Sequence, residues 1–262
     1  MSVLNFRKTD FIPGEFSQQK IVITVDGPAG AGKGTLARKL AERLGYAYLD
    51  TGPLYRAVAM ATLEIGGDPA KWRDVEPALS IVKRNLTPEL LSSPALRTPE
   101  VSQAASKVSA IPQVREALLD YQREFVKNPP GFVGGTVIDG RDIGTVVCPD
   151  ADIKFFITAS VEERARRRFL ELQAKHQDQT FEKVLADLQS RDDRDQNREI
   201  SPLVAAEDAY ILDTTTLDPA ETLDEAIAVI RSRFLSETND NADAKIRANF
   251  GKTPPSNEQQ AV

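Results

Sequence analysis

The sequence predicts an α/β protein built on a mostly parallel sheet covered by helices on both faces, and three observations carry that prediction. Five short apolar runs, at 21–25, 46–49, 135–138, 153–157 and 210–213, alternate with stretches of helical periodicity, the pattern that crossover helices and parallel strands require. The first run leads into a glycine-rich segment, Gly27-Pro28-Ala29-Gly30-Ala31-Gly32-Lys33-Gly34-Thr35. An amphipathic stretch with Leu36, Leu40 and Leu44 on one face follows at once. Strand, glycine loop, lysine and helix in that order make a phosphate-binding loop credible. Glycines let backbone N–H groups converge on phosphate oxygens, the helix N-terminus adds partial positive charge, and Lys33 reaches the outer phosphates. The general pattern places Ser or Thr directly after the lysine. Here Gly34 stands there, with Thr35 one place later.

The bulk composition narrows the field. At 262 residues and 41% apolar content, the chain has room for one substantial α/β domain with a small insertion or lid. No run resembles a membrane span, and Met1 to Lys20 lacks the apolar core of a signal peptide. Net charge of −6 argues against broad nucleic-acid binding. The single cysteine, Cys148, forms no internal disulfide and suits a reducing cytoplasm. With one histidine, His176, histidine catalysis and histidine-rich metal sites are all but excluded. Residues 1–19 and the polar stretch 236–262 read as disordered extensions of a working body at 20–235.

Past the first strand and helix, the second strand ends in Leu49-Asp50-Thr51-Gly52, with Tyr55-Arg56 close behind. The segment 67–98 reads as irregular, broken by Pro69, Pro77, Pro88 and Pro94. The third strand ends in Asp139-Gly140-Arg141-Asp142, and the fifth in Asp213-Thr214-Thr215. Ligands of open parallel sheets gather at such carboxyl ends. An Asp there is also an ordinary turn former, and both readings stand for Asp50 and Asp213. Asp139 occupies the place of a phosphate-loop enzyme's metal-associated acid.

Two helical segments carry arginines. In 181–198, Phe181, Val184, Leu185 and Leu188 define an inward stripe, and the same stripe continues through Arg191, Asp195 and Arg198. An inward arginine pair around an aspartate suits a phosphorylated, hydroxylated ligand. In 161–175, Glu162–Arg166 and Glu163–Arg167 have the spacing of surface pairs. Arg164 and Arg168 lack such a partner and are candidates to face a phosphate chain. Residues 173–180 read as a mobile connection between the two helices.

Taken in order, these segments resemble the nucleoside monophosphate kinases, most closely the bacterial-type cytidylate kinases. The resemblance rests on Asp26 through Thr35, Leu49-Asp50-Thr51-Gly52 with Tyr55-Arg56, Arg97-Thr98-Pro99-Glu100-Val101 with Ala104-Ala105-Ser106, and Val114-Arg115-Glu116. It continues in Asp139-Gly140-Arg141-Asp142-Ile143-Gly144-Thr145 and Arg191-Asp192-Asp193-Arg194-Asp195 with Asn197-Arg198. It implies a P-loop NTPase-like three-layer fold with a five-stranded parallel sheet, a monophosphate-binding region at about 67–130 and a helical lid at about 161–200. Gly34 fits this group, whose loop reads Gly-Lys-Gly-Thr. By position, Ser106, Arg115 and Asp142 would hold a cytosine ring. Thr51, Arg56, Arg141 and Arg198 would grip the acceptor phosphate, and Arg191 with Asp195 would address the sugar. Many members carry a longer insertion before the Arg97 motif, so the monophosphate region here is expected to be reduced.

The implied reaction is transfer of the γ-phosphoryl group of ATP, with Mg²⁺, to CMP or dCMP by a monomer. A monophosphate is largely dianionic near neutrality, so no strong general base is needed. Lys33, Arg141, Arg198 and a lid arginine, Arg164 or Arg168, would offset charge in the transition state. Two rivals remain open: a kinase for another anionic acceptor, and a non-catalytic nucleotide switch. Against the switch, the chain has no Asn-Lys-x-Asp or Thr-Lys-x-Asp segment.

Overall fold

The computed structural model describes residues 20–131, 133–174 and 178–250, with side chains up to Phe234. Strands β1 (Ile21–Asp26), β2 (Ala47–Asp50), β3 (Gly135–Asp139), β4 (Ile153–Thr158) and β5 (Tyr210–Asp213) match the five predicted runs. They form one sheet in the order β2-β3-β1-β4-β5, every adjacent pair parallel. The burial follows the order. Every residue of β3 is buried, whereas the edge strand β5 is mostly exposed. The chain leaves β1 toward one side and later places β3 and β4 on either flank of it. That reversal opens a crevice at the carboxyl end of β1, where an open α/β sheet binds its ligands.

Helix α1 (Lys33–Leu44) buries Leu36, Ala37, Leu40, Ala41 and Leu44 and stops at Gly45, whose left-handed φ of 66° suits a helix end. Between β2 and β3 the described elements are all helical: α2 (Gly52–Glu64), α3 (Trp72–Arg84), α4 (Pro88–Ser92), a 3₁₀ turn at Pro94–Arg97, α5 (Pro99–Val108) and α6 (Pro112–Lys127). These close around a core of their own that includes Leu54, Val58, Val75, Leu79, Val108 and Leu118. The stretch predicted to be irregular therefore holds two helices. Val75, Ala78, Leu79 and Val82 are all buried at helical spacing, and their burial outweighs the backbone hydrogen bond that Pro77 removes. The punctuation at 98–99 is structural. Thr98 Oγ accepts from the Val101 N–H at 3.2 Å, and Pro99 is the first helical residue of α5, the positions each prefers.

A single π-type turn at Ile143–Val147 follows β3. After β4 come α7 (Val161–Ala174) and α8 (Phe181–Asn197), packed through Ala165, Leu172, Val184 and Leu188, with Phe169 edge-on to Phe181 at 6.1 Å. Residues 175–177 of their connection lie outside the described residues. Helix α9 (Pro219–Phe250) ends the described chain. The sheet and α1 to α8 belong to one compact unit, 12–223, and the residues from Asp224 onward to a second. The sequence predicts disorder from 236, yet α9 continues to Phe250, since Ala242, Ala244, Lys245, Arg247 and Ala248 favour helix and no proline intervenes before Pro254. The predicted extension 1–19 and residues 251–262 lie outside the described residues. No helix among the described residues is long and apolar enough to cross a membrane.

Candidate active site

The glycine-rich loop leaves β1 and turns directly into α1. Gly30 and Gly32 adopt left-handed φ of 80° and 88°, which bends the backbone into a concave row of amides. Its carbonyls are held elsewhere: Arg164 Nη1 donates to Ala29 O at 3.1 Å, and Thr214 Oγ donates to Ala31 O at 3.0 Å. A Cβ at Gly34 would stand 3.0 Å from Asp139 Oδ2, so a side chain there would press on the carboxylate at the end of β3. Tyr48 donates to that same oxygen at 3.1 Å. Asp139 is pushed up to about 6 by burial and by neighbouring Asp50, with Lys33, Tyr48 and Arg141 opposing. Lys33 is lowered to about 8 by burial and by Arg141, with Asp139 and Asp50 opposing.

The loop forms one wall of a cavity of about 560 Å³. Ala29 to Lys33 and Thr35 line it, and so do Arg56, Arg97, Arg141, Arg167, Arg168 and Arg191 from other elements, against Glu171 and Asp187 alone of opposite charge among the described residues. Cations crowded in this way strain one another. Burial and then Arg141 lower Arg191 to about 9, with Asp195 opposing. Burial lowers Arg56 too, and Arg141 and Arg97 add to it. Nε of Arg191 makes no hydrogen bond. An anion in the cavity would relieve both the repulsion and the unmet donor.

Behind this wall lies a buried network of charge. Asp142 pairs with Arg115 through Nη2, and its other oxygen is 3.7 Å from Arg198 Nη2. Arg198 Nε donates to Ser201 O, while its Nη2 makes no hydrogen bond. Asp195 accepts from Arg141 Nε at 3.1 Å and from Ser106 Oγ at 3.2 Å, and Arg191 Nε lies 3.7 Å away. Burial pushes Asp195 up, but Arg141, Arg191 and Arg198 hold it below the usual carboxylate range. The guanidinium of Arg115 lies 5.4 Å above the Tyr55 ring.

A phosphate loop facing a pocket of arginines fits several kinases, and the comparisons with known proteins decide among them. A family model described as cytidylate kinase matches residues 23–232. The chain belongs to the cytidylate kinase family. It is thereby an enzyme, a kinase. A protein named cytidylate kinase from Paramagnetospirillum magneticum is 53% identical over 212 residues, covering 81% of this chain and 98% of its own. Relatives of the same name from Rhodospirillum rubrum and Granulibacter bethesdensis are each 49% identical, over 80% and 82% of this chain and 97% and 99% of theirs.

Of the site residues the sequence proposes, Lys33, Arg56, Arg141, Arg168 and Arg191 line the cavity in this cytidylate kinase family member. Ser106, Arg115, Asp142, Asp195 and Arg198 gather in the network behind it. Of the α8 continuation, Asp195 is buried in the helix and Arg191 half-buried, while Arg198 is buried but lies just past the helix end at Asn197. The Thr51 hydroxyl donates to Asp139 O at 2.8 Å and ties the end of β2 to that of β3. Ser106 receives Arg194 Nη1 at 2.7 Å. The arginines of α7 sort differently from their spacing. Arg166 pairs with Glu163 rather than Glu162, and Arg168 has an acidic partner after all, Glu171 at 2.8 Å. Arg167 pairs with Glu163 but also reaches Thr214 Oγ at 3.0 Å and lines the cavity.

Arg164 departs furthest from expectation. It is buried, donates to Ala159 O and Ala29 O, and pairs with Asp192 Oδ2 at 2.6 Å, joining α7, α8 and the phosphate loop. Its partner is on another helix, which spacing within α7 does not reveal. Arg164→Ala would leave Asp192 buried without its cation, a change that costs about 3–5 kcal/mol in comparable pairs. An unfolding free energy lowered by that amount in chemical denaturation is the expected result, and a value equal to wild type would refute the clamp. Arg97 and Thr214 were also missed as site residues. The first is masked by the capping signal beside it, and the second by distance along the chain.

Proposed function

We propose that the protein transfers the γ-phosphoryl group of ATP to CMP or dCMP, giving ADP and CDP or dCDP. The observation that carries this reading is the basic cavity opening directly off the phosphate loop, in a chain of this family. The loop amides and Lys33 receive the ATP phosphates, and Arg168 with Arg167 covers them from the α7 side. Arg56 and Arg141, on the same cavity, receive the acceptor phosphate, Arg198 approaches it from the network behind, and Arg191 with Asp195 addresses the sugar. Two dianionic groups are thereby brought together among fixed cations, where preorganised charge lowers the barrier most. Asp142 accepts from the exocyclic amine of cytosine, while Arg115 donates to a ring acceptor and the Ser106 hydroxyl turns from Asp195 to donate to another. Uracil presents an acceptor at the amine position and is disfavoured.

The residues present fit Mg²⁺. Hard oxygen donors suit it; Thr35 supplies a hydroxyl beside the loop, and the crowding of Asp50 against Asp139 is what a cation would relieve. Asp139 and Thr35 would hold it, directly or through water. Mg²⁺ would supply charge neutralisation at the ATP phosphates.

The test is ADP release from Mg·ATP with CMP, dCMP, UMP, AMP and GMP supplied separately. Release with CMP and dCMP at least tenfold above the rest is expected, on the scale of one lost hydrogen-bonded recognition pair. Equal use of UMP would remove Asp142 from base recognition. Absence of any acceptor-dependent release would overturn the kinase reading.

A further inference from the structure

Asp26 ends β1 and is buried, with 5% of its surface exposed. Its two carboxylate oxygens accept from two successive backbone amides: Oδ1 from Ile143 N–H at 2.8 Å and Oδ2 from Gly144 N–H at 2.7 Å. The partners are 117 and 118 positions away in the chain and belong to the turn that follows Arg141 and Asp142. A second tie joins the same places, Gly140 N–H donating to Val25 O at 3.1 Å. The turn then closes on itself, with Val147 N–H donating to Asp142 O at 3.2 Å and Cys148 N–H to Ile143 O at 2.7 Å. Asp142 thus has its backbone fixed on both sides, and the first fixed point beyond it is the Asp26 carboxylate.

A buried carboxylate is an expensive way to hold a turn. Burial pushes Asp26 up to about 7, the two amides oppose it, and Asp142 and Asp139 raise it further. An apolar residue could fill the space without that cost. What it could not do is accept two parallel N–H bonds at once, and neither could asparagine, whose amide group would turn a donor toward one of them.

We propose that Asp26 is a positioning residue for acceptor recognition, holding the turn at 142–144 so that Asp142 meets the acceptor base and Arg141 the acceptor phosphate. The inference rests on the reading of Asp142 and Arg141 given above. It separates acceptor recognition from ATP binding, because the Asp26 side chain engages the turn and not the phosphate loop.

The experiment uses the full chain and compares wild type with Asp26→Asn, Asp142→Asn and the double variant. KM and kcat are measured for CMP, UMP and ATP, with thermal unfolding alongside. In Asp26→Asn, kcat/KM for CMP is expected to fall by about tenfold or more, as misplacement of a recognition group costs. The preference for CMP over UMP falls with it, while KM for ATP stays within about twofold of wild type, since the Asp26 carboxylate bonds the turn at 143–144 and not the loop it adjoins. The double variant discriminates no worse than Asp142→Asn alone, since one effect acts through the other. A lowered unfolding temperature with the wild-type preference retained makes Asp26 merely structural and overturns the proposal. Should the Asn variant fail to fold, Asp26→Glu keeps both oxygens and displaces them by one methylene; a shifted preference supports the proposal and a wild-type preference overturns it. A wild-type protein with no acceptor-dependent ADP release overturns the proposed function and this inference together, whereas wild-type selectivity in the Asp26 variants overturns this inference alone.

Discussion

Arg198→Ala is expected to leave a folded protein whose turnover with CMP is lower by about a thousandfold, the scale on which a single transition-state arginine acts in phosphoryl transfer. Nε of Arg198 is spent on Ser201 O, but Nη2 is buried and makes no hydrogen bond. Burial lowers the pKa of this guanidinium, with Arg115 adding to the effect and Asp142 and Asp195 opposing it. Such a group gains most when a phosphate oxygen arrives. The variant should fold because Asp142 keeps its pairing with Arg115, so no buried carboxylate is left alone, the circumstance that makes removal of one partner costly. Steady-state turnover together with a circular-dichroism melt separates the two effects. Turnover within tenfold of wild type would remove Arg198 from the phosphoryl-transfer machinery.

Gly27→Ala is expected to damage folding and ATP binding together. Gly27 has φ of 146°, and a Cβ there would lie 2.0 Å from Ile157 O in the backbone of β4. No side chain can rotate away to make room, because the obstacle is the main chain of a strand paired with β1 on one side and β5 on the other. Backbone strain and overpacking each cost about 1–3 kcal/mol. Against a total stability of about 5–15 kcal/mol, their sum should lower the melting temperature by on the order of 10 °C. The phosphate loop would be displaced from the start, so ATP affinity should fall with it. A melt within about 2 °C of wild type, a shift worth no more than about 1 kcal/mol, with unchanged ATP affinity would show that β1 and β4 part more easily than their geometry implies.

These two residues also mark how far the sequence could be read. Gly27 is announced by the motif around it, and the reason it must be glycine is the approach of β4, which follows 130 residues later in the chain. Arg198 is legible only in part: the spacing of the α8 stripe points to it, but α8 ends at Asn197 and Arg198 sits in extended backbone just beyond. The helix α3 carries the same kind of spacing in Val75, Ala78, Leu79 and Val82, but the prolines around it made the stretch read as irregular. The partners of Arg164, Arg168 and Asp26 were not legible: they are Asp192 on another helix, Glu171 three residues along α7, and two backbone amides beyond the third strand.

The sequence by itself determined the five strands, the phosphate loop at the end of the first, and the family of the chain. Each of these is local: alternation of apolar runs, glycines that permit left-handed backbone, and motifs in a set order. The tertiary structure alone decided which arginines line the cavity and which are held in pairs, and that a carboxylate at the end of β1 holds the turn carrying Arg141 and Asp142. A charged side chain takes its role from whatever opposite charge or backbone amide folding brings within about 3 Å, and neighbours at that range are set by strand order and helix packing rather than by position along the chain.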